Sequence, residues 1–290
     1  MSEPGGDAKV RRPSHPSPLA ISIVTSVYSC RFLTTPQVAR IISRDERTTQ
    51  SILTRLASAG YLAAVWRPVA EPGVPDTVYA LAQRGADLVA SHLDVDRGRI
   101  RWKKYHNLVG LPFVEHRLAV NDVRIAFATN TASSGLAVEG WWYELPIKED
   151  IYDPVEKGFP LSLRPDAYIR CLAGPRRLHL FLEVDLGTET HLRFAHKIIR
   201  YLAYKKSGWF RLRWGGRSFR VLTVATTATR TRALRRITQQ YGGERMFWFA
   251  TLEDITRRGI GEAVWQLAGD DGPRARLIEP PGQASAPARL

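Results

Sequence analysis

Three acidic positions late in the chain have the spacing to do metal chemistry. Asp166 follows Arg164-Pro165 at the start of a strand-like run, and Glu183-Val184-Asp185 closes the apolar run that begins at Leu178. Carboxylates at the ends of adjacent strands can hold one divalent ion, commonly Mg2+, which takes oxygen ligands. Such an ion activates water and stabilises the charge that develops on a phosphodiester. Asp166 and Glu183 are the expected ligands; the alternative is a pair of capping or salt-bridged carboxylates. Asp185 and Glu189 read as partners of Arg193 and Arg200 on the helix that follows. Glu144 is either a rim carboxylate or an extra ligand, and His116 and His179 read as ordinary satisfied histidines.

An alternation of strands and helices must position these groups. A helix is expected from Leu111, where Val114, Leu118, Val120, Val123, Ile125 and Phe127 recur at helical spacing. Strand-like runs follow at Trp141–Ile147, Arg164–Ile169, Leu178–Asp185, Val221–Thr226 and Met246–Ala250, separated by helices at Glu189–Tyr204 and Thr231–Tyr241. A short helix at Leu252–Arg257 closes the series. That order predicts an α/β domain with a mixed sheet over residues 111–268.

Residues 205–240 hold ten Lys or Arg and no acid. Lys205, Lys206, Arg211, Arg213, Arg217 and Arg220 are interleaved with Trp209, Phe210, Trp214 and Phe219, and Arg230, Arg232, Arg235 and Arg236 follow. The arginines suit a surface that tracks phosphates. The aromatics read as core beneath it. Phosphate contacts of this kind position DNA without specifying its sequence.

The first hundred residues are patterned differently. A helix is expected over Ala20–Phe32. A threonine cap directly before Pro36 starts a second, and Asp45 caps a third, Glu46–Ala59, which closes at Gly60. Two strand-like runs, Tyr61–Arg67 and Thr77–Leu81, flank a Pro/Gly loop at Pro68–Asp76, and Gln83–Leu93 returns as a helix. Two short helices, a recognition helix with a polar outer face and a hairpin make a winged helix-turn-helix over residues 19–96. Its expected DNA contacts are Arg47, Thr48, Gln50 and Arg55 on the third helix and Arg67 at the wing. The alternative is a protein-docking module. Residues 1–95 carry a net charge of only +2, from ten bases against eight acids, so tight DNA binding by this module alone is not expected.

The Pro165-Asp166 … Glu183-x-Asp185 pattern resembles the PD-(D/E)xK nuclease fold, in which strand-borne acids ligate metal and a lysine assists. Over about residues 19–257 the chain also resembles the bacterial replication-relaxation family. That likeness rests on the winged helix, His116-x-Leu118-Ala119-Val120-Asn121-Asp122, Trp142-x-Glu144, Arg164-Pro165-Asp166, Phe181-Leu182-Glu183-Val184-Asp185-x-Gly187-Thr188-Glu189, the Lys197–Tyr201 helix and the run from Met246 to Ile255. The resemblance implies an α/β protein, α+β overall, with a winged helix followed by a nuclease-like mixed-sheet domain. It implies catalytic Asp166, Glu183 and Lys197, with Mg2+ on Asp166 and Glu183. The nuclease pattern is broken at Asp185, where a lysine is expected, and Lys197 on the next helix is the candidate replacement; it is equally a surface charge or the partner of Glu189. The implied role is in replication, relaxation or mobilisation of plasmid or other mobile-element DNA, as a metal-dependent nickase. The alternatives are a catalytically inactive accessory protein or transcriptional regulator, or a docking module for a replication protein. The expected partners are double-stranded DNA and plasmid replication or mobilisation proteins.

The remaining features set bounds. The chain has 290 residues and a formal charge of +14, which favours a polyanionic partner. Cys30 and Cys171 each lie in apolar runs and read as buried reduced thiols, and no spacing suits a zinc cage. No apolar stretch is long enough to span a bilayer and the N-terminus lacks a signal-type core, so a cytoplasmic protein with no membrane partner is expected. Residues 1–18 and 269–290 are expected as disordered tails, and 97–110 as a basic linker between the two domains.

Overall fold

Capping side chains set most of the helix starts in the N-terminal part. Ser17 caps α1 (Pro18–Cys30) with Pro at the first position, so this helix begins two residues before Ala20. Three buried residues then form a short unexpected strand, β1 (Phe32–Thr34). Thr34, one residue earlier than the threonine adjoining Pro36, caps α2 (Thr35–Ile42) in a capping box with Gln37. Asp45 caps α3 (Glu46–Ser58), its Oδ1 accepting from the Thr48 amide at 2.8 Å. Beyond α3, Gly60 takes the left-handed φ of +76°. β2 (Leu62–Val65) and β3 (Val78–Leu81) pair antiparallel, and β1 adds to β3, giving the order β1-β3-β2. α4 (Gln83–His92) packs on α1.

The structure, a computed structural model, describes residues 16–65, 77–129 and 135–278. Arg67 and the Pro68–Asp76 loop lie outside the described residues, as do most of the N-terminal tail and residues 279–290. The chain divides into two compact units, Met1–Leu111 and Pro112–Leu290. The basic segment 97–110 therefore belongs to the first unit and is not a free linker. Ile100 in its middle is buried, the Arg31 guanidinium donates to the His106 carbonyl at 2.7 Å, and the Asn107 amide donates to the Leu81 carbonyl at 2.9 Å. One apolar side chain in a basic run is enough to dock it, because burial rewards Ile100 while the charges stay in water.

The second unit is built on a six-stranded mixed sheet with helices on both faces. After α5 (Leu111–Thr129), β4 (Leu136–Tyr143) pairs antiparallel with β7 (Ala167–Ala173), and β7 with β8 (Arg176–Asp185). Between them β5 (Ile147–Tyr152) and β6 (Pro160–Leu163) form a separate two-stranded sheet, which the sequence pattern did not disclose. Past β8 the chain crosses through α6 (His191–Ser207) and α7 (Trp209–Trp214) to β9 (Arg220–Ala225), parallel to β8. α8 (Ala228–Gln240) then leads to β10 (Phe247–Thr251), parallel to β9 and followed by α9 (Leu252–Arg258). β11 (Gln266–Leu267) is the antiparallel edge.

Because side chains alternate along a strand, β8 serves two cores. Leu182 and Val184 join α5 residues such as Val123 and Phe127 and the β10 residue Trp248 on one face. Phe181 joins Phe194, Ile198 and Tyr201 of α6, Phe210 of α7 and Leu234 of α8 on the other. Glu183 shares Phe181's parity and so is delivered to the α6 face. The aromatics of the basic stretch are core as expected: Phe210 and Phe219 are buried, and Trp209 and Trp214 pack against them.

The segment expected as a tail from 269 is ordered to 278. The Ala275 amide donates to the Trp265 carbonyl at 2.6 Å, Leu277 is buried, and the Arg220 guanidinium holds the Leu277 carbonyl at 2.5 Å. Cys30 and Cys171 are buried free thiols. Among the described residues, no helix is long and apolar enough to cross a membrane.

Candidate functional site

Asp166 sits one residue before β7, where two main-chain hydrogen bonds hold it: its amide donates to the Leu182 carbonyl at 2.9 Å, and its carbonyl accepts from the Glu144 amide at 3.0 Å. Its carboxylate turns back onto β8. Oδ2 accepts from the Val184 amide at 2.6 Å and lies 3.2 Å from Nε2 of His116 on α5. The same Nε2 is 3.1 Å from the Val184 carbonyl, so one imidazole nitrogen faces both oxygens. The hydrogen bond to Asp166 holds the imidazolium above its ordinary range against the opposing effect of burial.

Glu183 is buried on the α6 face of β8, and helical spacing supplies its partners. Lys197 and Tyr201 stand four residues apart on α6 and so project one above the other. The Lys197 ammonium donates to Glu183 Oε2 at 2.8 Å and the Tyr201 hydroxyl to Oε1 at 2.7 Å. Lys197 also reaches Glu189 Oε1 at 3.2 Å. Burial pushes the Glu183 carboxyl up to about 7; Lys197 opposes the rise, and the charge of Asp166 adds to it. Burial works against the Lys197 charge as well, yet Glu183, Asp166 and Glu189 together hold the ammonium above its usual value.

Asp185, in the place where the nuclease pattern has lysine, is occupied otherwise than expected. Arg230 at the start of α8 meets it with two donors, Nε to Oδ1 at 3.1 Å and Nη2 to Oδ2 at 2.7 Å. The Gly187 amide adds a third bond to Oδ1 at 2.5 Å. Glu189 pairs with Lys197 rather than with Arg193 or Arg200. Arg200 instead binds Asp153 at 2.8 Å and Glu156 at 2.9 Å in the β5–β6 connection. Glu144 is neutralised by Arg117 on α5. His179 is an ordinary buried histidine, its Nδ1 2.7 Å from the Tyr168 hydroxyl, whereas His116 is not.

The structure therefore brings Asp166, Glu183 and Lys197 to one end of β7 and β8, together with three groups that sequence reasoning missed: His116, Tyr201 and Arg230. The i, i+4 spacing of Lys197 and Tyr201 was legible. His116 opens one of the family-like segments but reads there as an ordinary histidine; its place beside Asp166 comes from α5 crossing the strand ends. Among the described residues, no group of three or more His, Cys, Asp or Glu side chains could hold a metal.

The expected DNA-contacting residues divide by exposure. Arg47, Thr48 and Arg55 are exposed on α3. Gln50 is already engaged, accepting from the Thr35 hydroxyl at 2.5 Å and donating to the Tyr79 hydroxyl at 2.8 Å. Lys205, Lys206, Arg211, Arg232 and Arg236 are exposed. Arg213 is tied to the buried Glu149 at 2.7 Å. Arg235 is a correction: it is 7% exposed and binds the Leu267 and Asp270 carbonyls, Gln266 and Asp271, stapling the C-terminal segment.

No curated protein matches the sequence. Among solved structures, one described as restriction endonuclease FokI matches over 81% of this chain and 43% of that one, at 10% identity and a TM-score of 0.31. This chain thus spans less than half of that protein, and the likeness is too slight to bear on function. A family model described as Replication-relaxation matches residues 24–216, a span that runs from α1 past α7 and includes His116, Asp166, Glu183, Lys197 and Tyr201. With well over half of its 290 residues matched, the chain belongs to the replication-relaxation family.

Proposed function

We propose that the chain binds double-stranded DNA and nicks it with Mg2+ at the centre formed by Asp166, Glu183 and Lys197, acting on plasmid or other mobile-element DNA. The observation that carries this reading is the convergence of a strand-end aspartate, a buried glutamate and a lysine from the next helix, with the ammonium 2.8 Å from the glutamate. The donor set fits Mg2+, which takes one or two carboxylates and completes its shell with other oxygens. Asp166 and Glu183 would hold the ion through their carboxylates, with the Val184 carbonyl, which shares His116 Nε2 with Asp166 Oδ2, as a neighbouring oxygen. Mg2+ bound there supplies charge stabilisation on the phosphodiester and activation of water. Lys197 has three N–H donors, of which Glu183 and Glu189 engage two, leaving one for a phosphate oxygen or the attacking water. His116 and the Val184 amide orient Asp166.

For the duplex, the proposal assigns the first unit as a winged helix-turn-helix, with Arg47, Thr48 and Arg55 on α3 facing DNA. Lys205, Lys206, Arg211, Arg232 and Arg236 supply sequence-independent phosphate contacts. One observation favours a second reading, binding without cleavage: both Glu183 oxygens are engaged, by Lys197 and Tyr201. A plasmid assay separates the two. Supercoiled DNA is incubated with the wild type and with Asp166→Ala/Glu183→Ala, in Mg2+, in Mn2+ and in chelator. Nicking that needs metal and disappears in the double variant is the expected result. If the wild type shifts the plasmid in a salt-dependent way but leaves it supercoiled with every metal, cleavage is ruled out and the binding reading stands.

A further inference from the structure

We propose that the first unit also carries a pocket for a single unstacked nucleotide of single-stranded DNA, between the end of α1 and the basic segment after α4. This goes beyond the duplex contact and the cleavage centre, neither of which uses these residues. A cavity of about 300 Å³ opens there, with Tyr28 and Arg31 on one wall and Arg101, Trp102, His106 and Asn107 on the other. That volume is at the small end of ligand sites and suits a nucleoside.

The lining has the chemistry of a base-and-phosphate site. Two aromatic rings and an imidazole offer planar faces, the Arg101 guanidinium offers phosphate donors, and none of the described residues lining the cavity is acidic. Base faces stack on such rings whatever the sequence, and an arginine can bind the adjoining phosphate with paired donors. The surrounding run Arg97–Lys104 carries five Arg or Lys and no acid, so the approach to the cavity is positive as well.

The walls are also fixed in place. The Trp102 indole N–H donates to Asn107 Oδ1 at 3.4 Å, and the Asn107 amide group is held in turn by the Leu81 carbonyl at 2.9 Å. The Arg31 guanidinium spans to the His106 carbonyl at 2.7 Å, joining one wall to the other. Arg31 itself has a φ of +71°, a backbone conformation that non-glycine residues rarely adopt and that gathers at functional sites. Arg101 is exposed at the rim, where a phosphate would lie.

The test compares three ligands on the full-length protein at one salt concentration: a labelled thymidine oligomer of about twelve nucleotides, an abasic oligomer of the same length, and free thymidine monophosphate. The expected result is that the base-bearing oligomer binds about tenfold or more tightly than the abasic one, the range that stacking of one base supplies. Trp102→Ala removes that preference, and Arg101→Ala lowers the slope of log affinity against log salt by about 0.7. Equal binding of the abasic and base-bearing oligomers to the wild type overturns the proposal, and needs no variant to fold. So does a Trp102→Ala protein with a native circular dichroism spectrum that keeps the preference. Free nucleotide binding as tightly as the oligomer reassigns the pocket to a soluble ligand and overturns the single-strand claim. A wild type that fails to nick plasmid leaves all of these outcomes unchanged, so the two proposals fail separately.

Discussion

Replacing Lys197 with methionine keeps most of the side-chain volume and removes one charge, which makes it a direct test of the electrostatics around Glu183. In the wild type the Glu183 carboxyl is raised from about 4.5 to about 7. A carboxyl raised in the folded state binds its proton more tightly there than in the unfolded chain. Its contribution to stability is therefore full below about pH 4.5 and is lost as pH rises through about 7, a loss of about 3 kcal/mol at roughly 1.4 kcal/mol per pH unit. Above pH 8 the wild-type profile flattens, because Glu183 is then ionised in both states. Without the ammonium at 2.8 Å, the carboxylate keeps only the Tyr201 hydroxyl and its pKa moves higher still. Buried glutamates reach 8–9 in such surroundings. The variant should thus keep losing about 1.4 kcal/mol per unit where the wild type has levelled off, so the gap between them widens by about 1–2 kcal/mol between pH 7 and pH 8.5. The assay is urea unfolding at a series of pH values, compared as a difference so that groups common to both proteins cancel. A gap that stays constant from pH 6 to pH 9 refutes the assignment of Lys197 as the charge that keeps Glu183 ionised.

Four further outcomes follow from other contacts. Arg235→Ala should lower the stability of the second unit by about 2–4 kcal/mol, because its guanidinium bonds to two main-chain carbonyls and two side chains near the C-terminal segment, and it should leave the salt dependence of DNA binding unchanged. Arg232→Ala and Arg236→Ala, at exposed sites, should each lower that salt slope by about 0.9 and leave urea midpoints within error. Gly85→Ala should destabilise the first unit by about 2–3 kcal/mol, read as a lower urea midpoint, since the new Cβ would lie 2.1 Å from the Tyr61 carbonyl oxygen. His116 should titrate above its ordinary value of 6.5 in an NMR pH series, and Asp166→Asn should bring it down; because the folded pKa is raised, its contribution to stability is present below 6.5 and is lost as pH rises through the folded value.

The element order was legible because the signals are local. Pro36, the capping Asp45 and the left-handed Gly60 each report a backbone state fixed within a few residues, and the apolar run ending at Glu183 marks a strand buried on both faces. Asp166, Glu183 and Lys197 could be named for a similar reason, since each lies at a strand end or on the helix that follows. The fate of single charges was not legible. Arg232, Arg235 and Arg236 sit in one turn of one basic helix, yet one staples a chain segment and two stand in water, and only the fold of residues 266–271 decides which. His116 was hidden likewise, fifty residues before the aspartate it faces.

Asp185 marks the deepest departure from the nuclease pattern, and the charges around it account for how the site tolerates one. A carboxylate at that position cannot help a phosphodiester approach, and left alone it would add to the charge already on Asp166 and Glu183. Arg230 covers it with two donors from the start of α8, while Lys197 reaches Glu183 from α6. The strands thus supply acids and the crossover helices supply bases, a division that puts the lysine on a helix rather than on β8. The compensation is incomplete. Four carboxylates, Asp166, Glu183, Asp185 and Glu189, meet two cations, Lys197 and Arg230, so with Glu183 ionised a formal charge of −2 remains, or −1 when His116 is protonated. A site with that surplus repels a phosphate unless a cation joins it, which is why metal dependence is the feature of the plasmid assay on which the cleavage proposal rests most heavily.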